Sequence, residues 1–125
     1  SMIFRWAQTI TQLKDEFAII DNTLHPTFSH MLGGTAFISH LASVWPANQL
    51  ALQAKLEAKD YEGALAIETA GLTPWYDFRI KAGAYTSGEA PPVKAALLMT
   101  GRVNSTGPMR VPSRELSPEL KAELR

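Results

Sequence analysis

The chain contains no cysteine. That excludes disulfides, thiolate nucleophiles and thiolate-ligated metals together, and it is compatible with a reducing, cytoplasmic compartment. Charge bias is also missing: 12 Lys and Arg balance 12 Asp and Glu. A neutral chain has no basic field with which to recruit nucleic acid or an anionic membrane surface. No apolar run approaches the roughly 18–20 residues that a bilayer span needs. Ser1–Trp6 does not read as a secretory signal, because no basic stretch precedes a long apolar one. There is no Gly-x-Ser-x-Gly elbow, and Gly33-Gly34 is too short for a phosphate loop. What is present is 125 residues, 46% hydrophobic and 19% charged, enough for one soluble domain with a real core.

The pattern along the chain predicts a helix over 3–13, with Phe4, Trp6, Ile10 and Leu13 on one side. Phe17-Ala18-Ile19-Ile20 is apolar without alternation, as in a strand buried on both faces of a parallel sheet. Asp21-Asn22-Thr23 ends it, Thr23 is the expected cap of a helix running through Leu32, and Gly33-Gly34 is its stop. Thr35 to Leu41 is the second expected strand. Ser43 is the expected cap of a long helix over 46–58 carrying Leu50, Ala54 and Leu56. Asp60 caps the next, with apolar surface from Tyr61, Ala64, Leu65 and Ala66. This helix runs on or kinks near Gly71 to Pro74, and Trp75, Phe78, Ile80 and Ala82 continue the apolar pattern. A short helix over 92–100, an extended stretch over 103–113, and a final helix with Ser117 as cap and Pro118 at its first position complete the reading.

Strand, helix, strand and then only helices implies a parallel pair. Two parallel strands alone leave edges and faces uncovered, so the pattern reads as the end of something larger.

Six colinear stretches carry a family resemblance. They are Phe17–Thr23, Met31–Gly34, Ala36–Ser39, Lys59–Ala64, Ala90–Leu97, and Gly107–Pro112 followed by Leu116-Ser117. Met31-Leu32-Gly33-Gly34 is similar to a Leu-Gly-Gly before a final strand. Ala36-Phe37-Ile38-Ser39 resembles Gly-Val-Ile-Ser, and Lys59-Asp60-Tyr61-Glu62 resembles Gly-Asp-Tyr-Glu. Ala90–Leu97 resembles Pro-x-x-Lys-x-Ala-Leu, and Gly107–Pro112 resembles an Arg-x-Pro stretch. The family they resemble is that of dihydrodipicolinate synthase and N-acetylneuraminate lyase, the pyruvate-dependent class I aldolases and dehydratases. The aromatic stretch Trp75–Arg79, with Ala84–Thr86, suggests a divergent branch of it.

The resemblance implies an α/β fold: the last two strands of a TIM (β/α)₈ barrel in residues 1–45, then the final barrel helix and a C-terminal helical extension in 46–125. A whole barrel takes roughly 250 residues, more than this chain contains. The family's Schiff-base lysine then lies on strand six, just upstream of Ser1, and its catalytic tyrosine on strand four, so no catalytic residue falls within this chain. Ser1-Met2 fits either a vector remnant before a start methionine or native sequence; the colinear match, running to the first residues, favours the second. No cofactor and no metal are implied. The implied partners are a 2-keto acid substrate, the missing N-terminal half of the barrel, and further copies in a homo-oligomer, commonly a tetramer.

Active sites of such barrels sit at the C-terminal ends of the strands. The candidate substrate-pocket residues are therefore Asp21, Asn22, Ile38, Ser39 and His40. Asp21 stands where the family has a turn glycine, and Asn22 and Thr23 where it has two aspartates, a departure that puts any role copied from that turn in doubt. Asp21 and Asn22 also fit as strand-end turn residues, and Ile38 as barrel core. His25 and His30 are five apart and do not share a helix face, and no carboxylates at ligand spacing join them. Lys14, Lys55, Lys59, Lys81, Lys94 and Lys121 all fall on expected helices or turns, outside the strand positions an imine-forming lysine needs. The alternative function is a barrel-derived helical interaction module without catalysis.

Overall fold

A computed structural model describes residues 1–23 and 25–125. The chain begins with α1 (Met2–Leu13), its first turn capped by the Ser1 hydroxyl, which accepts from Phe4 N. Strand β1 (Ile20–Asp21), α2 (Pro26–Leu32) and β2 (Ala36–Phe37) follow. The two strands pair in parallel, with Ile20 opposite Ala36 and Asp21 opposite Phe37. Thr35 N donating to Ile19 O (2.9 Å) and Ile38 N donating to Asp21 O (2.8 Å) extend the ladder at each end. Adjacent parallel strands are as expected. The ladder is shorter than the apolar runs predicted, since Phe17 lies in a bend and His40 in a turn.

The run from Phe17 to Ile20 is also not buried on both faces here. Phe17 and Ile20 are more than half exposed, as is Ile38 just after β2. The side chains alternate: Asp21 is buried, and its register neighbour Phe37 packs on a cluster of Leu52, Leu56 and Ala64. One face of the ladder thus meets the helices, and the face of Ile20 and Ile38 is open.

Leu41, expected at the end of the second strand, instead opens α3 (Leu41–Val44) and is buried. The single turn is closed by Arg102, whose Nε donates to Val44 O at 2.7 Å. Ser43 sits inside this turn and caps nothing. Helix α4 (Pro46–Glu57) starts after Trp45 with no side-chain cap, which costs less because Pro46 has no N–H to satisfy. Its buried face is Gln49, Leu52 and Leu56, spaced by three and four. Leu50, one of the apolar residues expected on this helix, is on the opposite side and exposed.

Helix α4 ends by an αL turn at Lys59 (φ 56°), with Asp60 N donating to Lys55 O at 2.9 Å. Asp60 then caps α5 (Tyr61–Ile67), as expected, by accepting from Gly63 N at 2.9 Å. The chain does run on: a π-helical turn (Glu68–Leu72) joins α5 directly to α6 (Thr73–Thr86). Trp75, Phe78 and Ala82 on α6 are buried, whereas Ile80 is exposed. Helix α7 (Ala90–Met99) ends before Gly101 (φ 67°), and α8 (Pro118–Glu123) is capped by Ser117, which accepts from Leu120 N at 3.3 Å.

The larger core gathers Leu41, Val44, Leu72, Trp75, Phe78, Ala82, Ala96, Leu116 and Leu120. Fully burying a side chain such as Leu or Phe contributes about 1.5–3 kcal/mol, so this layer, contributed by α3, the π-helical turn, α6, α7, Leu116 and α8, anchors the helical half. None of the helices is long and apolar enough to cross a membrane among the described residues.

Candidate functional site

The parallel pairing brings the C-terminal ends of β1 and β2 to the same side of the ladder. Asn22 and Thr23 leave β1 there, and Ile38, Ser39 and His40 leave β2. All five expected pocket residues therefore lie on Asp21–Asn22 and Ile38–His40, two adjacent strand exits.

Asp21 is buried on the helix-facing side. Its Oδ1 accepts from Thr23 N at 3.2 Å and from Thr23 Oγ1 at 2.6 Å, closing the turn after the strand. Its Oδ2 has no partner among the described residues. Thr23 is thus spent on this turn and does not cap α2. The expected start of that helix includes Leu24, which lies outside the described residues; the helix itself begins at Pro26 behind His25, which makes no side-chain cap. Asn22 is exposed.

Across the exit, Ile38 presents an exposed apolar side chain. Ser39 is half-buried, and its Oγ accepts from Leu41 N at 3.1 Å, starting α3. His40 Nε2 lies 3.8 Å from Glu89 Oε2, and Glu89 Oε1 lies 2.5 Å from an Arg79 guanidinium nitrogen. Arg79 is itself buried, with Nε unpartnered among the described residues. His40, Glu89 and Arg79 therefore lie in a row from the β2 exit to α6 and the start of α7, with the firm contact between Glu89 and Arg79.

Of the remaining histidines, His30 contacts a tyrosine hydroxyl and His25 lies exposed near a carboxylate. His30 Nδ1 is 3.3 Å from Tyr61 Oη, and His25 Nδ1 is 3.9 Å from Glu68 Oε1. Among the described residues, no group of three His, Asp or Glu is placed to hold a metal. All six lysines lie on helices or turns, off the strands.

Sequence reasoning missed Glu68. It is buried in the π-helical turn and accepts from Thr27 N (3.1 Å) and Thr27 Oγ1 (2.6 Å), serving the N-terminus of α2. A lone glutamate after Ala64-Leu65-Ala66-Ile67 carries no local signal of that use. The Arg79–Glu89 pair was equally silent, because the two residues meet only through the α6–α7 turn.

No protein-family model matches the chain, and no curated protein matches it significantly. Among solved structures the chain is similar to dihydrodipicolinate synthase from Oceanobacillus iheyensis, with a TM-score of 0.77 and 25% identity. The similarity covers 94% of this chain and 40% of that one, so the chain spans less than half the length of that synthase. The parallel strand pair, the helices that follow it and the colinear motifs together make this chain similar to the C-terminal part of a protein of the dihydrodipicolinate synthase and N-acetylneuraminate lyase family.

Proposed function

We propose that this chain is the C-terminal segment of a Schiff-base-forming lyase, an aldolase or dehydratase acting on pyruvate or a 2-keto-3-deoxy acid. The observation that carries the reading is the likeness to dihydrodipicolinate synthase over 94% of the chain. The strand pair then supplies the last two strands of a TIM barrel, residues 1–45, and 46–125 its final helix and C-terminal extension. The imine lysine and the catalytic tyrosine come from upstream strands. The full protein is a cytoplasmic homo-oligomer.

Within that frame the strand exits have a division of labour. An imine-forming lysine must be neutral, and an apolar wall disfavours its charged form. Ile38, exposed here on the open face of the ladder, supplies such a wall once the barrel closes. A keto-acid carboxylate needs hydroxyl and N–H donors, which the Ser39 hydroxyl and the Asn22 side chain offer at the two exits. Asp21 holds the turn that presents Asn22, and His40, beside Glu89, stands at the pocket mouth.

The test is borohydride reduction with pyruvate, on this chain alone and on the chain joined to its upstream half. Alone, it should trap no adduct. With the upstream half, one pyruvyl adduct should form on an upstream lysine, and Ile38→Asp should weaken it by stabilising the charged amine. A stoichiometric adduct on Lys14, Lys55, Lys59, Lys81, Lys94 or Lys121 would overturn the reading. If no adduct forms on the joined protein, the helical interaction module is the better account.

A further inference from the structure

Away from the strand exits, a cavity of about 140 Å³ lies between α7, α8 and the segment 106–116. Its size is close to the roughly 150 Å³ of an apolar cavity that holds benzene, so it admits a ligand of about six heavy atoms. Leu98, Met99, Met109 and Leu116 are among its apolar lining residues. Methionine is unbranched and polarizable, and it moulds to aliphatic chains.

Three charged groups also line it: Lys94, Lys121 and Glu115. Lys121 Nζ is 3.6 Å from Glu115 Oε2. Lys94 is half-buried, yet it makes no hydrogen bond and no ion pair among the described residues. A half-buried lysine packs its aliphatic stem against apolar neighbours and leaves its ammonium available to an anion. With Lys121 and Glu115 paired, the lining carries one uncompensated positive charge beside an apolar wall.

We propose that this cavity is a binding site for a short-chain aliphatic monocarboxylate. Its carboxylate sits on the Lys94 ammonium, and its alkyl tail lies among Leu98, Met99, Met109 and Leu116. The lining argues against a dianion, since Glu115 faces the same space and only one cation lacks a partner. It argues against a purely apolar ligand, because that would take water from Lys94 without neutralising it. The site uses none of the strand-exit residues and is independent of the imine chemistry.

The experiment is a titration of the isotope-labelled chain with butyrate, n-butanol and inorganic phosphate, followed by NMR. Butyrate should shift the signals of Lys94, Lys121, Met99 and Met109, and bind more tightly than either comparison probe. Lys94→Met, which keeps the aliphatic stem, should weaken butyrate by about tenfold, and Lys94→Arg should retain it. The wild-type comparison decides even if Lys94→Met fails to fold. The proposal is overturned by absent shifts with butyrate, by n-butanol or phosphate binding as well as butyrate, or by full affinity in a folded Lys94→Met.

Discussion

Glu68 caps a helix that begins far ahead of it in the chain: its Oε2 accepts from both the backbone N–H and the hydroxyl of Thr27, with |i−j| of 41. The carboxylate is buried at the positive end of α2, where an anion is favoured by the aligned N–H groups. Through these bonds to Thr27, Glu68 joins the start of α2 to the helical half.

Glu68→Ala is therefore expected to destabilise the fold by about 2–3 kcal/mol, the range for losing hydrogen bonds to a buried charged group. Thr27→Val keeps the backbone N–H bond and should cost less, about 1 kcal/mol. Urea unfolding of both variants measures this. A Glu68→Ala loss within ~0.5 kcal/mol, the usual span for surface changes, would show that the cap carries no weight.

Lys59 sits in the left-handed region with φ 56°, at the position where the resembled motif has glycine. A side chain there is strained, and glycine adopts the same conformation freely. Lys59→Gly is expected to raise stability by up to about 1 kcal/mol, read as a higher denaturation midpoint at unchanged m-value. A lower midpoint would mean that the lysine is doing something the backbone does not reveal.

Asp60 is held below its ordinary value of 3.8, first by the hydrogen bond from Lys55 and then by that from Gly63 N. An acid depressed in the folded state adds stability that is present above its unfolded pKa and disappears as pH falls through the folded one. The contribution of this cap is thus lost only below about pH 3.8. Lys55→Met should move the NMR titration midpoint of Asp60 upward. A wild-type midpoint at or above 3.8 would contradict the assignment.

Met2, Ile3 and Phe4 on α1, Phe17, and Ile20 and Ile38 on the ladder are all more than half exposed. Exposed apolar residues this concentrated, beside a sheet with two open edges, are an association surface. The isolated chain should sediment above 13.7 kDa, paired with another copy of itself. A compact, stable monomer in velocity sedimentation would refute this.

The sequence was most legible where a local rule acts alone. Asp60 before Tyr61, Ser117 before Pro118 and the glycine pair after Leu32 each satisfy orphan helix groups, and all are found as read. Legibility failed where two distant segments compete for one group. Thr23 has the chemistry of a cap, but Asp21 takes its hydroxyl and Glu68 supplies the cap instead. Leu50 and Ile80 look like core by composition; the helix phase chosen by their neighbours Leu52 and Phe78 turns them outward. The strand exits were placed by pattern and resemblance together, whereas the His40–Glu89–Arg79 chain required the fold.

The π-helical turn at Glu68–Leu72 has a mechanical meaning beyond the hydrogen bonds it contains. Such a turn holds one residue more than the α-helix it interrupts, so it works as a rotary offset between α5 and α6. Rewinding these five residues as regular α-helix, with none removed, would swing everything beyond them by about 100°. Trp75, Phe78 and Arg79 would then leave the core in a single step. The segment is therefore a vernier: one residue's length there sets the angle at which the whole C-terminal half meets the strands.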